Sequence, residues 1–253
     1  MNASHSASEA AVTPSARPRI PELSAVIPAY NEQDVLPVSI AEAVEALEDI
    51  AERWELLIVD DGSKDRTAGI VSEWSAKDPR VKLLKQPRNL GYSKALIRGF
   101  REAQYEFVCY TDADAQFDVH EVRDLYDHIE GVEMVVGYRK KRQDPSIRLL
   151  TSAVYNILQG MVLGVRVRDC NCALKLFRRD FLQALPLDSD AFLIDAELFA
   201  RTQRAGGRWR EVGVTHRPRE QGSTTVKVST ITETLRELWA LRRSISRGGS
   251  GQA

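Results

Sequence analysis

The stretch that decides the fold is Phe107-Val-Cys-Tyr-Thr-Asp-Ala-Asp-Ala-Gln116. Its first four residues form an apolar run that is typical of a buried strand in a parallel sheet. Two carboxylates, Asp112 and Asp114, and the carboxamide of Gln116 follow at once. Hard oxygen donors at the carboxyl end of a central strand suit a divalent cation such as Mg2+ or Mn2+. An ordinary polar turn is the alternative, because Asp-x-Asp also occurs by chance.

Strands and helices alternate along the chain on both sides of this stretch. The predicted strands are Ala25–Pro28, Trp54–Val59, Val81–Leu84, Phe107–Tyr110 and Glu133–Gly137. The predicted helices between them cover residues 31–51, 66–76, 93–103 and 118–129. This alternation predicts an α/β fold with a doubly wound, mostly parallel sheet, whose ligands lie beyond the carboxyl ends of the strands.

Composition limits the class of protein. The chain has 253 residues, 43% of them hydrophobic, which suffices for one sizeable core. Its 35 Lys and Arg against 36 Asp and Glu give a net charge of −1, so no basic field indicates a nucleic-acid partner. Cys109, Cys170 and Cys172 have neither zinc-ligand spacing nor a disulfide framework, which predicts buried thiols in a reducing compartment.

The two ends of the chain differ from its middle in composition. Residues 1–21 are rich in Ala, Ser and Pro and predict a disordered tail, and residues 248–253 predict a flexible one. Between them we expect one globular domain over 22–228 and an amphipathic C-terminal helix over 229–247. No apolar run reaches the roughly 18 residues of a membrane span, and no signal peptide is evident, so we expect a cytoplasmic protein.

Two helical segments have apolar surfaces that allow two interpretations. Residues 146–163 carry a wide apolar face, and the C-terminal helix places Leu and Trp beside several Arg side chains. Both could pack on the core of the domain. Both also suit attachment to an anionic membrane surface or to a membrane protein, as a peripheral protein at the inner face of the membrane.

Three polar clusters follow three of the predicted strands. They are Pro28–Glu32, Asp60–Asp65 and Asp112–Gln116. Each alone is compatible with ordinary turn chemistry. Because the carboxyl ends of parallel strands meet at one edge, the three together predict a site.

These clusters carry a family resemblance. The segments Val26–Glu32, Val59–Asp65, Asn89–Gly91 and Asp112–Gln116 together resemble the GT-A fold family 2 glycosyltransferases of the dolichol- or polyprenyl-phosphate mannose (hexose) synthase type. The resemblance extends over 23–225. It implies a Rossmann-like GT-A domain and an inverting, metal-dependent transfer of a hexose, mannose or glucose, from GDP-mannose or UDP-glucose to polyprenyl phosphate.

The resemblance also implies roles on the donor side. The nucleoside pocket would be formed by residues after the first two strands: Pro28, Tyr30, Glu32, Val59 and Asp61. The metal and diphosphate site would be formed by Asp112, Ala113, Asp114 and Gln116, with Asp114 and Gln116 as direct Mg2+ or Mn2+ ligands. Arg139 and Arg219 would contact phosphate, and Arg219 would act in catalysis with Asp112, Asp114 and Lys175.

On the acceptor side, the resemblance points to Arg148, Asp169 and Lys175. A structural salt bridge between Asp169 and Lys175 is the alternative interpretation. Asp195 lies near the position where relatives that glycosylate hydroxyl groups have a general base. A phosphate acceptor is already an anion and needs no base, so Asp195 should be dispensable for a lipid phosphate.

One departure from the family pattern concerns the loop that would close over the donor. Arg219 and Gly222 match the pattern, but Thr225 stands where a Lys is expected. Lys227 or Arg217 could supply the missing charge. The departure leaves two further interpretations open: a soluble family member acting on a hydroxyl of a glycan or small molecule, and a non-catalytic nucleotide-sugar-binding protein.

Overall fold

Strand β1 (Ile20–Ala29) lies at the centre of the structure, a computed structural model that describes residues 17–140, 157–189, 193–218 and 231–247. It pairs in parallel with β2 (Ala51–Asp60) on one side and with β4 (Phe107–Tyr110) on the other. Every residue from 23 to 29 is buried. A strand covered on both faces needs a continuous apolar run, and this explains why the central strands show no alternation in sequence.

The described part of the chain forms one seven-stranded sheet. The other strands are β3 (Val81–Lys85), β5 (Met134–Arg139), β6 (Lys175–Arg178) and β7 (Trp209–Val214). The spatial order is β3-β2-β1-β4-β6-β5-β7. Only β6 runs antiparallel to its neighbours, β4 and β5. The predicted mostly parallel α/β sheet is confirmed.

Helices connect the strands and pack on the sheet. They are α1 (Leu36–Ile50), α2 (Thr67–Lys77), α3 (Tyr92–Glu102), α4 (Val122–Tyr126), α5 (157–163), α6 (Arg179–Ala184), α7 (Ile194–Arg204) and α8 (Ile231–Arg247). In α1, Leu36, Ile40, Ala43 and Leu47 are buried at helical spacing. Among the described residues, no helix is long and apolar enough to span a membrane.

Two helices are shorter than the sequence predicts. Helix α1 begins at Leu36 rather than near residue 31, because Asn31 has a φ of 55° and belongs to a tight turn. Helix α4 begins only at Val122, after a 3-10 turn over Val119–Glu121. The Asp118 side chain accepts a hydrogen bond from the His120 amide, as expected for a residue that caps a helix start.

The folded part of the chain begins before residue 22. Ile20 is fully buried and pairs with Ala51 of β2, and Arg17 forms an ion pair of 2.8 Å with Asp124. The sequence did not predict this earlier start, because Ile20 is a single large apolar side chain among small and polar residues.

Helix α8 packs against α7 and buries one stripe of side chains: Leu238, Leu241 and Ile245. Trp239 is 49% exposed and lies outside this buried stripe. Of the predicted helix 146–163, only residues 157–163 lie within the described ranges, and these are helical. All three cysteines are buried and free, as expected.

Parallel pairing brings the predicted polar clusters to one edge. Ala29 is opposite Asp60, and the Asp61 amide donates a 2.8 Å hydrogen bond to the Ala29 carbonyl. The Thr111 amide donates to the Val26 carbonyl at 3.1 Å. The turns after β1, β2 and β4 therefore leave the sheet side by side.

Candidate active site

The turns after β1 and β2 are joined by side-chain hydrogen bonds. The Asn31 side chain accepts a bond from the Lys64 amide at 2.8 Å, and the Asn31 amide donates to the Ser63 hydroxyl at 2.9 Å. The Glu32 amide donates to the Thr67 hydroxyl, also at 2.9 Å. The side chains of Asn31, Ser63 and Thr67 thus hold the two turns in a fixed relation.

The five residues expected in the nucleoside pocket lie close together in the fold. Pro28 and Val59 are buried and directly opposite each other on β1 and β2. Tyr30 and Glu32 are half-buried on the turn after β1, and Asp61 begins the turn after β2. Contact of these residues with a base stays a prediction.

Asp61 has three protein hydrogen-bond donors around its carboxylate. The side chain is 3% exposed and accepts bonds from the Leu90 amide at 2.7 Å, the Gly91 amide at 2.9 Å and the Gln86 carboxamide at 2.8 Å. Both oxygens of this buried carboxylate therefore have hydrogen-bond donors from the protein. Asp61 therefore organises the loop that leads into α3.

The turn after β4 has a fixed backbone. Ala113 is buried, and its carbonyl accepts a hydrogen bond from the Ser39 hydroxyl of α1. Ala115 has a φ of 55°, in the left-handed region, which turns the chain sharply. The Asp114 side chain accepts a bond of 3.2 Å from the Gln116 amide. The spacing of the two acidic side chains is thus set by the turn itself.

Asp112 lies deeper in this turn than Asp114 and has a perturbed pKa. Its Oδ1 accepts a 2.8 Å hydrogen bond from the Tyr92 hydroxyl of α3. Burial and the neighbouring charge of Asp114 raise the pKa of Asp112 to about 7, against the lowering effect of the Tyr92 bond. Near neutral pH, this carboxyl is therefore only partly ionised until a positive charge approaches it.

Gln116 is held in one orientation by residue 217. Its Nε2 donates to the Arg217 carbonyl at 3.0 Å, and the Arg217 amide donates to the Gln116 carbonyl at 2.8 Å. Because the amide nitrogen is engaged, Oε1 is the atom that Gln116 can offer to a ligand. The Arg217 guanidinium is anchored in turn by Glu42 at 3.0 Å and Asp118 at 2.9 Å.

The donors of this turn fit a magnesium- or manganese-type cation. Asp114 and Gln116 present oxygen atoms from one short turn, with Asp112 beside them. Mg2+ in substrate sites uses one or two carboxylates and takes its other ligands from phosphate and water. Within the described ranges, no group of three or more His, Cys, Asp or Glu side chains could hold a metal ion. A cation at this turn would therefore need oxygen ligands from a bound phosphate.

A buried charged cluster lies beneath the turn. Lys175 is fully buried, and its Nζ donates to Asp195 Oδ1 at 2.6 Å and to the Cys172 and Cys170 carbonyls at 2.5 and 3.0 Å. The Tyr110 hydroxyl accepts from Lys175 at 3.0 Å and donates to Asp195. Burial opposes the Lys175 charge, but Asp195 outweighs it, so the pKa of Lys175 is raised. Lys175 is thus a charged structural group under the candidate site.

The alternative of an Asp169–Lys175 salt bridge is wrong. Asp169 instead pairs with Arg139 through two bonds, of 2.7 Å to Nε and 2.8 Å to Nη2, and both side chains are largely buried. Strand β6 enters the sheet antiparallel between β4 and β5, which directs Lys175 toward Asp195. The Arg139 guanidinium therefore has a carboxylate partner, and its contact with phosphate stays a prediction.

Several predicted residues lie outside the described residues: Arg148, Arg219, Gly222, Thr225 and Lys227. Arg217 is described, and its guanidinium pairs with Glu42 and Asp118. Arg217 was considered as a replacement for the Lys missing at position 225. Its charge is already paired with these two carboxylates.

Sequence reasoning missed the part played by two tyrosines, Tyr92 and Tyr110. Both hydroxyls donate to carboxylates of the site, Asp112 and Asp195 respectively. The signal for Tyr92 was its place in the motif Asn89-Leu-Gly-Tyr92, at the first residue of a helix that starts from the ligand edge. No signal in the sequence pairs Tyr110 with Asp195, since 85 residues separate them.

Residues 24–185 match the family model described as glycosyl transferase family 2. The chain belongs to this family. The resemblance read from the strand-end motifs is thereby confirmed, and the matched residues include all three turns of the candidate site.

Curated relatives of this family 2 chain carry one common name. A protein of Pectobacterium carotovorum subsp. carotovorum, named undecaprenyl-phosphate 4-deoxy-4-formamido-L-arabinose transferase, is 34% identical over 211 residues, covering 81% of this chain and 62% of the relative. The protein of that name from Salmonella choleraesuis is 32% identical over 210 residues, with the same coverage. The chain thus spans 62% of the length of these relatives.

Solved structures share the fold at low sequence identity. A glucosyl-3-phosphoglycerate synthase from Mycobacterium tuberculosis, in complex with Mn2+, UDP and glucosyl-3-phosphoglycerate, has a TM-score of 0.61 and 21% identity, covering 89% of this chain and 77% of that one. A mannosyltransferase from Pyrobaculum calidifontis, in complex with GDP-Man and Mn2+, has a TM-score of 0.60 and 16% identity, with 92% and 77% covered. These likenesses establish the GT-A fold of the family 2 chain.

Proposed function

We propose that this family 2 chain is an inverting glycosyltransferase that moves a hexose from a nucleoside-diphosphate sugar to polyprenyl phosphate. The observation that carries the proposal is the turn 112–116 at the carboxyl edge of β4, where Asp112 is held by Tyr92 and Gln116 by residue 217. Preorganised oxygen donors beside a second and third strand-end turn suit a ligand with a diphosphate. The names of the curated relatives support the acceptor class.

On the donor side, the three turns would bind different parts of the nucleotide sugar. The turns after β1 and β2 would hold the nucleoside of GDP-mannose or UDP-glucose, through Tyr30, Glu32 and the edge formed by Pro28 and Val59. Asp114 and Gln116 would hold Mg2+ or Mn2+. When bound, the cation neutralises the charge that develops on the diphosphate leaving group. Asp112, whose carboxylate accepts a hydrogen bond from Tyr92, would orient the ribose or sugar hydroxyls.

On the acceptor side, the buried cluster around Asp195 is consistent with a reaction that needs no general base. Asp195 is only 6% exposed, and its Oδ1 is engaged by Lys175 and Tyr110. Asp195 is thus engaged within the protein by two hydrogen-bond donors. A phosphate acceptor is an anion at neutral pH and attacks the anomeric carbon without losing a proton, as the nucleoside diphosphate leaves from the opposite face.

A lipid-carried acceptor also requires contact with a membrane, and one surface of the described residues suits it. Ile157, Met161 and Trp239 are 59%, 66% and 49% exposed. The Arg242 guanidinium donates to the Val162 carbonyl at 2.7 Å and so joins α8 to α5 beneath these side chains. Exposed apolar groups next to the Arg residues of α8 favour peripheral attachment to an anionic bilayer.

The test is a panel of nucleotide sugars incubated with undecaprenyl phosphate in vesicles and Mn2+ or Mg2+, with the lipid product read by mass. A lipid-linked hexose from one donor is the expected result. Transfer to 3-phosphoglycerate or a glycan instead would identify a hydroxyl acceptor. Tight donor binding without release of nucleoside diphosphate would identify a non-catalytic nucleotide-sugar-binding protein.

A further inference from the structure

Hydrogen bonds at the backbone amides of residues 90 and 91 and at the side chain of residue 92 join the turn after β2 to the turn after β4. Asp61 accepts from the Leu90 and Gly91 amides at 2.7 and 2.9 Å. The next residue, Tyr92, is the first of α3, and its hydroxyl donates to Asp112 Oδ1 at 2.8 Å. Asp61 therefore fixes the short loop that carries Tyr92, and Tyr92 is the hydrogen-bond donor to Asp112.

The loop has little room to shift. Gly91 has a φ of 98°, a conformation that favours glycine, directly before the helix start. A Cβ added to Gly62 would lie 2.4 Å from the Arg88 backbone carbon, so the turn after β2 is packed against the chain that leads into this loop. Ala95, Leu96 and other residues of α3 are buried against the sheet and hold the helix in place.

Tyr92 is a suitable donor over the whole physiological pH range. Burial, and after it the negative charge of Asp112, raises the pKa of Tyr92 well above its usual value of 10. The phenol therefore stays protonated and donates a hydrogen bond to Oδ1 of Asp112. This bond fixes the orientation of the Asp112 carboxylate through Oδ1.

We propose that Tyr92 is a positioning residue of the donor site that orients Asp112, and that Asp61 acts on the same carboxylate through the 90–91 amides and Tyr92. The inference rests on the proposed donor site and assigns Asp61 a role different from direct recognition of the base. Nucleoside and metal-diphosphate halves of the site are then coupled through the protein as well as through the ligand.

The first experiment isolates the Tyr92 hydroxyl. Tyr92→Phe removes only this group, and Tyr105→Phe is the matched control, since Tyr105 is also half-buried but lies before β4 at the opposite edge of the sheet. Binding of GDP and UDP is titrated calorimetrically with and without Mn2+, and folding is checked by thermal unfolding. For Tyr92→Phe, we expect nucleotide binding in the presence of Mn2+ to weaken about tenfold, the scale of lost outer support at a metal site, and for Tyr105→Phe we expect the affinity of the wild type.

The second experiment tests the route from Asp61. If Asp61 acts through Tyr92, the double variant Asp61→Asn with Tyr92→Phe binds Mn2+ and nucleotide no more weakly than Asp61→Asn alone. If the two losses multiply, or if the loss in Asp61→Asn differs between GDP and UDP, Asp61 acts on the base and this part of the inference is overturned.

The outcomes separate this inference from the proposed function. Wild-type protein that binds neither nucleotide in the presence of Mn2+ contradicts the proposed donor site itself. If the wild-type protein binds a nucleotide with Mn2+ and the Tyr92→Phe variant binds it equally well, only the proposed role of Tyr92 is contradicted.

Discussion

Replacement of Asp195 by Asn tests the buried cluster beneath the candidate site. In the wild-type chain, Lys175 is fully buried and its ammonium group is 2.6 Å from Asp195 Oδ1. Asp195→Asn keeps the shape of the side chain but removes the negative charge, so that the Lys175 charge retains only the Tyr110 hydroxyl and two backbone carbonyls as partners. The variant should therefore be less stable, although no acceptor contact is changed.

The expected size follows from the burial of the pair. Removing one partner of a buried ion pair costs about 3 to 5 kcal/mol, and we expect about 3 kcal/mol here because Asn can still accept one hydrogen bond from Lys175. For a domain of this size, 1 kcal/mol lowers the midpoint of thermal unfolding by about 2 to 4 °C, which gives a decrease of roughly 6 to 12 °C.

A double-mutant cycle in urea is the appropriate assay. Lys175→Met alone should be destabilised comparably, because it leaves Asp195 charged in an apolar environment. The double variant Asp195→Asn with Lys175→Met should be more stable than the sum of the two losses predicts, since no unpaired charge remains. Additive losses, or an Asp195→Asn variant as stable as the wild type, would refute the account of the cluster.

The same variant carries information on the acceptor once its folded fraction is known. Turnover with undecaprenyl phosphate, expressed per folded molecule, should be largely retained in Asp195→Asn because a phosphate acceptor needs no general base. A loss of turnover in fully folded protein would instead indicate a hydroxyl acceptor.

Three further variants or modifications test other parts of the site. Asp114→Ala should abolish the Mn2+-dependent part of nucleotide binding, measured calorimetrically, with unchanged circular dichroism, and a retained Mn2+ dependence would exclude Asp114 as a ligand. Arg217→Ala removes the guanidinium contacts with Glu42 and Asp118 that fix residue 217, whose backbone carbonyl accepts from the Gln116 amide. It should weaken Mn2+-dependent nucleotide binding about tenfold and Arg217→Lys less; equal affinities of both variants and wild type would contradict this. Burial raises the pKa of Cys109 and Cys172 to about 12. Since the thiolate is the reactive form, iodoacetamide at about pH 8 should modify them only after denaturation, and rapid native modification would contradict their burial.

Much of the fold was predictable because it depends on local patterns. The apolar run 107–110 forms a strand with the bounds that the sequence predicts. The start of α1 was not predictable from periodicity, because the Asn31 turn is stabilised by residues 63 and 64 of another turn. The edge of the sheet that carries the site was predictable, since it follows from the geometry of parallel strands.

The partners of the charged residues were not predictable. Lys175 and Asp169 are close in sequence, but β6 enters the sheet antiparallel, so each side chain meets a residue distant in sequence: Asp195 for Lys175 and Arg139 for Asp169. Tyr92 stood in the motif Asn89-Leu-Gly-Tyr92, but the motif does not show that its hydroxyl reaches Asp112. Such pairings depend on the packing of whole elements, which motif spacing does not record.

The most direct test of the central claim is the formation of lipid-linked sugar by the purified chain under control of the metal. Undecaprenyl phosphate in anionic vesicles is incubated with the best donor and Mn2+, then with excess EDTA, then with Mn2+ restored. The account predicts a product mass equal to undecaprenyl phosphate plus one hexose, which stops increasing with EDTA and resumes with Mn2+. Undiminished transfer in EDTA, or nucleoside diphosphate release without a lipid product, would contradict it.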